Sequence, residues 1–212
     1  SLKSLHREIV LSNTYRQASH PAAATLEKDP ENRLWGWFPV RRLEAEPVRD
    51  AILSVSGQLD RTPGGPVLTV KNRGYLFDHT SKDLTKYDNP RRSVYLPIIR
   101  NNVYDVFQLL DYPDAAVSSG DRNTSTVSPQ ALMMLNSDLV LQASEKLADR
   151  LLKEFPTDDL ARAVRLIRLA YGRDPRSGEA EQLLADLTEY TQVVAESNAS
   201  KNAITTPAAN RQ

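Results

Sequence analysis

The stretch RRLEAEPVRDAILSVSGQLD, residues 41–60, decides the fold class because it carries a complete set of helix signals. Glu44 and Glu46 stand where a helix N-terminus favours negative charge, and Pro47 is tolerated in a first turn. Gly57 suits a C-terminal cap. Apolar residues recur at the spacing of one helix face: Val48, Ala51, Ile52, Val55 and Leu59. The stretch therefore predicts an amphipathic helix.

The charged residues of this stretch have two interpretations. Glu44, Glu46 and Asp50 could be the paired acids of a glycoside-cleaving site, since Glu46 and Asp50 share a helix face at i, i+4. Alternatively, the acids form a charged helix start whose ion partners are Arg42 and Arg49. The second interpretation is favoured, so all five residues are predicted to form structural ion pairs.

The same periodicity predicts a mostly α fold of about six helices. Besides the stretch above, helical patterns cover residues 2–13, 103–110, 129–135, 138–155, 158–171 and 178–196. The face of the second of these is Val103, Val106, Phe107 and Leu110. Predicted N-caps are Asn102, Ser128, Ser137 and Thr157, and Gly172 is a predicted C-cap.

Other segments predict strands, loops and a tail. VLTV (67–70) and SVYLPII (93–99) are rich in β-branched residues and predict a small β-hairpin or ribbon, joined through the polar residues 71–89. The rings of NRLWGWFPV (32–40) are predicted to fill the core. From residue 197 the chain is polar and without periodicity, which predicts a disordered tail over 197–212. One domain over residues 1–196, part of a longer protein, is expected.

Composition excludes several classes of function. Lys plus Arg and Asp plus Glu are 27 each, so the basic surplus of a nucleic-acid-binding protein is missing. The chain has no cysteine, which excludes disulfides, thiolate metal sites and covalent haem attachment within it. No apolar run approaches the roughly 20 residues that span a bilayer, and the N-terminal sequence does not resemble a signal peptide.

The histidines do not predict a metal site. His6, His20 and His79 have no ligand spacing such as H-x-x-x-H, and a site would need two or more of them together. A nucleophile elbow and a phosphate-binding glycine loop are also missing from the sequence. No metal or cofactor is predicted for this chain.

The loop SSGDRNTSTVSP, residues 118–129, is the best candidate for a ligand site. Small polar residues before a helix N-terminus can present N–H groups and hydroxyls to an anion or a sugar. Arginines at element ends can hold such a ligand in a bidentate manner, or they can instead pair with the acids of LEAEPVRD and LLDYPD, which is the favoured interpretation. These arginines are Arg41, Arg42, Arg91, Arg92, Arg100 and Arg122. The predicted ligand-binding residues are Arg100, Asp121, Arg122, Asn123 and Thr124. The alternative, a loop held by its own Ser, Thr and Asp hydrogen bonds, stays open.

Seven segments, in this order, carry a family resemblance: LHREIVLSNTYRQAS, RLEAEPVRDAILSVSGQLD, GGP, RRSVYLPIIRNN, FQLLDYPD, TSTVSPQALMMLNSDLVLQA and LAYGRDP. Together they resemble the planctomycete-specific C-terminal domain of unknown function, the PSD domain. The resemblance covers about residues 1–190 and implies a domain truncated at both ends. It implies an exported parent, periplasmic or at the cell surface, that carries c-type haem in a planctomycete-type cytochrome c domain elsewhere in its chain.

These observations predict a structural or interaction domain that packs against neighbouring domains of the same protein, rather than an enzyme by itself. The alternative is a substrate-binding or catalytic part of an extracellular redox or polysaccharide-processing enzyme. Its site would combine the arginines at element ends with the loop of residues 118–127.

Overall fold

The computed structural model describes residues 1–65, 67, 89–99, 103–114 and 117–205, with side chains described as far as residue 197. The contacts divide the chain into two compact units, Ser1–Leu43 and Glu44–Gln212. The expectation of a single domain over residues 1–196 stays a prediction.

Eight α-helices follow one another in the described part of the chain. The first unit contains α1 (Leu2–Leu11) and α2 (Ala23–Lys28). The helices of the second unit are α3 (Ala45–Ser56), α4 (Asp105–Leu109), α5 (Ser128–Asn136), α6 (Asp138–Glu154), α7 (Asp159–Tyr171) and α8 (Glu179–Thr205). The prediction of a mostly helical chain is confirmed, although the helices are more numerous than the predicted six or so.

The predicted β-hairpin is wrong in the described part of the chain. Within SVYLPII, residues Ser93–Tyr95 form a 3-10 turn, and Leu96 is extended but belongs to no strand. An isolated bridge between Asp60 and Arg91 is the β-pairing that the described residues show. Residues 68–70 of the other predicted strand lie outside the described residues. The physical reason is that side chains of α3, described below, bind the backbone that a partner strand would have paired.

The buried face of α3 also differs from the predicted one. Its buried residues are Ala45, Arg49, Leu53 and Ser56. The predicted apolar face is only half-buried, and its member Ala51 is exposed. The buried stripe therefore runs through Arg49, which a hydrophobic pattern assigns to the surface.

Phe107 lies at the centre of the main core of the second unit. Its side chain is 0% exposed, and Val106 and Leu110 beside it are buried, which confirms most of the predicted face of α4. The buried cluster around it draws on α3, α4, α5 and the segment after the 3-10 turn: Ala45, Leu96, Val106, Phe107, Leu110 and Met133. A separate small cluster joins α7 to α8: Ala163, Ile167 and Ala180.

The helix ends agree with the sequence at some positions and differ at others. Gly57 (φ 82°) and Gly172 (φ 65°) are left-handed C-caps, as predicted, and the Ser137 hydroxyl accepts from the Val140 N–H at 3.4 Å. The N-caps of α4, α5 and α7 lie one or two residues from the predicted Asn102, Ser128 and Thr157: they are Tyr104, Val127 and Asp158. At α7 the reason is visible, because the Asp158 carboxylate accepts from the Ala161 N–H at 2.8 Å.

Helix α8 extends beyond its predicted end at residue 196, as far as Thr205. Residues 206–212 lie outside the described residues, so the disordered tail stays a prediction there.

In the first unit, Asn32 organises the turn that carries the tryptophans. Its side-chain amide donates to the Trp37 carbonyl at 2.8 Å and accepts from the Trp37 N–H at 3.3 Å, while its own backbone is left-handed (φ 54°). The rings of Tyr15 and Phe38 pack with centroids 5.6 Å apart. Trp35 is 62% exposed at the tip of this turn, so the expectation that both tryptophans fill the core is wrong.

Candidate functional site

Arg49 on α3 is a fully buried cation, with a side chain that is 0% exposed. Its Nη1 donates to the carbonyl of Arg91 at 2.9 Å and to the Ser93 hydroxyl at 3.3 Å, and its Nη2 donates to the carbonyl of Asn89. A buried guanidinium needs partners for its donors, and these bonds supply partners to Nη1 and Nη2, although the buried Nε makes no hydrogen bond within the described residues. Arg49 therefore ties the chain at 89–93 to α3.

The next residue of α3 holds the same segment through its acceptors. The Asp50 Oδ1 accepts from the Ser93 N–H at 2.8 Å and from the Ser93 hydroxyl at 2.6 Å. The same oxygen lies 3.8 Å from Arg49 Nη1. Asp50 and Arg49 thus bind donors and acceptors of one short segment, residues 89–93, and the Ser93 N–H at the start of the predicted strand is not available for pairing.

Arg122 in the loop after α4 binds the start of α3. Its Nη1 and Nη2 donate to the two carboxylate oxygens of Glu46 at 2.8 and 3.0 Å, a bidentate pair. The Glu44 carboxylate lies 3.0 Å from Arg122 Nη1. Arg122, a predicted ligand-binding residue, therefore forms one cluster with Glu44 and Glu46, which were predicted to form ion pairs. Arg122 and Glu46 are 76 positions apart in the sequence.

The pairing of Glu46 with Arg122 shifts the pKa values of both groups. Partial burial alone would raise the pKa of Glu46, but hydrogen bonds from Arg122 and from its own backbone, with the Arg122 charge, hold that pKa below its usual value. The hydrogen bonds to Glu46 raise the pKa of Arg122 above its usual value, against the opposite effect of burial. Both groups stay charged at neutral pH.

Three aromatic rings connect the two arginine sites. Tyr104 meets Phe107 edge to face at 5.4 Å between centroids, and Phe107 stacks on Tyr112 at 5.3 Å. Arg49 lies over the Tyr104 ring at 5.6 Å, and Arg122 lies over the Tyr112 ring at 5.3 Å. The row of rings is thus bounded by a cation at each end, and it passes through the most buried side chain of the core.

Asp111 holds the end of the predicted ligand loop. Its carboxylate accepts from the Ser125 N–H at 2.8 Å, from the Ser125 hydroxyl at 2.6 Å and from Gln130 Nε2 at 3.3 Å. Asp111 itself has a left-handed backbone, φ 63°, which is uncommon for a residue with a side chain. These bonds support the alternative in which the loop is held by its own polar side chains.

The structure places the predicted ligand residues as follows. Asp121, Asn123 and Thr124 are exposed, and Arg122 is half-buried against Glu46. Asp121, Arg122 and Asn123 line a cavity of about 470 Å³ together with Asp111 and Tyr112. The fifth predicted ligand residue, Arg100, lies outside the described residues.

A larger groove of about 880 Å³ runs along α3. We name it the α3 groove; its lining includes the acids Glu44, Glu46 and Asp50, the cations Arg61 and Arg92, and the apolar residues Ala51, Leu59, Val94, Leu96 and Ile98. The three acids already have the partners described above. Arg61 makes one long hydrogen bond, from Nη2 to the Ser54 hydroxyl at 3.5 Å.

Two residues of the site carried little signal in the sequence. Arg61 and Arg92 are exposed residues beside a turn, and hydropathy does not separate them from other surface arginines. The paired arginines at 91–92 were the available hint, and the two differ: Arg91 is buried and donates to the carbonyls of Thr62 and Gly65 at 3.0 and 3.1 Å, whereas Arg92 is exposed.

The described residues show neither a metal-binding cluster nor a membrane-spanning helix. Among them, no three His, Cys, Asp or Glu side chains come close enough together to hold a metal ion. Within the same ranges, none of the helices combines the length and the apolar character needed to cross a bilayer.

A comparison with protein families gives a match over most of the chain. The matching family model is described as PSD1, protein of unknown function (DUF1553), and it covers residues 1–187. No curated protein and no solved structure matches the chain. The match therefore gives a family without a reaction.

Proposed function

We propose that this chain, which belongs to the PSD1 family of proteins of unknown function, is a structural and interaction domain rather than an enzyme by itself. The observation that carries the proposal is the bidentate bond of Arg122 to Glu46, with Glu44 beside it. The most conspicuous charged residues of the sequence are bound to one another, and they join α3 to a loop far along the chain.

A catalytic pair of carboxylates is the specific competitor, because Glu46 and Asp50 both line the α3 groove. A glycoside hydrolase needs one carboxyl group whose pKa is raised, so that it can donate a proton. The pKa of Glu46 is lowered, and both of its oxygens accept from Arg122. Asp50 is engaged by Ser93. Glu46 therefore does not suit the role of the proton donor in such a pair.

Exposed apolar side chains support a role in packing against another domain. On α8, Leu187 and Tyr190 are 58% and 68% exposed. Leu187 lines an apolar groove of about 390 Å³ formed with residues of α6 and α7, including Leu152 and Leu166. Contiguous exposed apolar surface of this kind is typical of protein interfaces.

The wider context is part of the proposal. We place the chain in an exported multidomain protein of planctomycetes, periplasmic or at the cell surface, where it packs against neighbouring domains. The parent would carry c-type haem in a cytochrome c domain elsewhere in its chain. The support for this context is the resemblance of the seven sequence segments to the PSD domain.

The test substitutes the exposed loop residues in the intact parent protein. Asp121→Asn and Thr124→Ala are expected to leave turnover unchanged within about twofold, because neither residue would contact a substrate. Turnover is followed as haem reduction with candidate sugars as electron donors. The matched control is Thr126→Ala, in the same loop.

A loss of about tenfold or more in either variant, at an unchanged unfolding temperature and with the control unaffected, would contradict the proposal and favour the enzymatic alternative.

A further inference from the structure

The α3 groove has two cations without a carboxylate partner among the described residues. The Arg92 side chain makes no hydrogen bond or ion pair there, and the Arg61 side chain reaches only the Ser54 hydroxyl. The other arginines near the groove are engaged: Arg49 and Arg91 bind main-chain carbonyls, and Arg122 binds Glu46. Two exposed guanidinium groups beside one concave surface are a suitable site for carboxylates.

The acids of the groove do not cancel these two cations. Glu44 and Glu46 share Arg122, and the Asp50 Oδ1 accepts from Ser93 while lying 3.8 Å from Arg49. Arg122 therefore offsets one of the two charges on Glu44 and Glu46, and Arg49 offsets the charge of Asp50, which leaves one negative charge against the two cations. A ligand that carries negative groups would meet Arg61 and Arg92 as the available charged donors.

The remaining surface of the groove is mainly aliphatic. Ala51 and Leu59 contribute from α3 and the segment after it, and Val94 and Ile98 contribute from the segment that begins with the 3-10 turn. Val94 is 72% exposed. A ligand that fits this lining needs apolar groups alternating with acidic ones.

A sugar chain fits the groove less well than a peptide. Sugar sites commonly offer an aromatic face, and Tyr112 is the aromatic residue that lines the α3 groove. One face of its ring is stacked by Phe107 and Arg122 lies over the ring. An extended peptide, in contrast, places alternate side chains on opposite sides, so that acidic ones can reach the arginines while apolar ones contact the aliphatic lining.

We infer that the α3 groove binds an extended acidic peptide segment of a partner polypeptide, with carboxylates of that segment paired to Arg61 and Arg92. The inference rests on the proposed interaction function and names the chemistry of the partner. The volume of about 880 Å³ is at the upper end of the roughly 300–1,000 Å³ of small-ligand pockets and leaves room for several side chains.

The experiment measures binding of a fluorescent, terminally capped peptide that alternates glutamate with valine to the full chain, by fluorescence anisotropy. Replacing both cations, Arg61→Gln with Arg92→Gln, is expected to weaken binding about tenfold or more, since two charge-assisted contacts are lost. The double lysine variant keeps the charge and is expected to retain most of the affinity. The matched control is Arg176→Gln, an exposed arginine outside the groove, which is expected to change nothing.

A second variant tests the same site without removing an arginine. Val94→Glu adds a negative charge to an exposed position of the groove and is expected to weaken peptide binding through like-charge repulsion. Raising the salt concentration to about 0.5 M is expected to weaken binding of the wild-type chain, because screening acts on exposed pairs.

Three results would overturn the inference: no binding of the glutamate peptide, equal binding of a peptide with glutamine in place of each glutamate, or tighter binding of an oligouronate than of the peptide. Each would leave the proposed function standing if the Asp121→Asn parent keeps its turnover. Loss of that turnover would instead contradict the proposed function, so the two failures are distinguishable.

Discussion

Replacing Arg49 with methionine is expected to lower the free energy of unfolding by about 3–5 kcal/mol, the largest effect of any charged residue described here. The guanidinium is fully buried and donates to the carbonyls of Asn89 and Arg91 and to the Ser93 hydroxyl. Methionine has a similar volume, but its side chain has no hydrogen-bond donor. Because two of the acceptors belong to the main chain, no compensating substitution can remove them, and they would be left buried without a donor.

The measurement is urea unfolding, read as a shift in midpoint at constant slope. Arg176→Met is the control, since this arginine is exposed, and surface changes usually stay within about 0.5 kcal/mol. A loss below about 1 kcal/mol for the Arg49 variant would show that the buried bonds contribute little to the fold.

Replacing Phe107 with alanine is expected to destabilise the chain by about 3–5 kcal/mol as well. Its ring is 0% exposed and touches Tyr104 on one side and Tyr112 on the other. Removing it leaves a cavity between the two tyrosines on which Arg49 and Arg122 lie. We therefore also expect faster hydrogen exchange in the loop that carries Arg122.

Phe107→Leu serves as a graded comparison, because it keeps apolar volume and loses the ring contacts, and it is expected to cost less than the alanine variant. Val117→Ala, at an exposed position, is the surface control. Equal stability of the alanine variant and the wild-type chain would place the core of the second unit elsewhere.

Local signals in the sequence were sufficient to locate most of the helices, although not all of their ends or buried faces. The glycines at 57 and 172 end α3 and α7 because each adopts a left-handed conformation that other residues rarely take. The apolar spacing of Val106, Phe107 and Leu110 gave the buried face of α4. Such signals act within one or two turns of helix, so a single sequence contains them.

The β-hairpin was mispredicted because residue composition indicates a preference for strand structure but does not show which groups the segment contacts in the fold. SVYLPII has the β-branched and aromatic residues of a strand, but Asp50 binds the Ser93 N–H and Arg49 binds the carbonyls of Asn89 and Arg91. Tertiary contacts of side chains therefore override the local preference. The same bonds explain why the buried stripe of α3 passes through an arginine.

The sequence predicted the candidate site only in part, for a related reason. The sequence indicated Glu44, Glu46 and Arg122 as notable, and it suggested Arg42 and Arg49, which are near in sequence, as ion partners. Arg122 was one of six arginines that could also bind these acids, with no signal to select it. The structure pairs both acids with Arg122. An interaction across 76 positions has no local pattern. Arg61 and Arg92 gained meaning only once the α3 groove placed them beside the same surface.

The account depends on charged residues that bind one another, and the most direct measurement is a double-mutant cycle of Glu46→Gln and Arg122→Gln. The pair is bidentate but partly exposed, so a coupling free energy of about 1 kcal/mol at pH 7 is expected. Because the pKa of folded Glu46 is lowered, the coupling is fully present above the unfolded value near pH 4.5 and is lost as the pH falls through the lower folded value. Additive effects of the two substitutions at pH 7 would contradict the account, since Glu46 and Arg122 would then be available for another task.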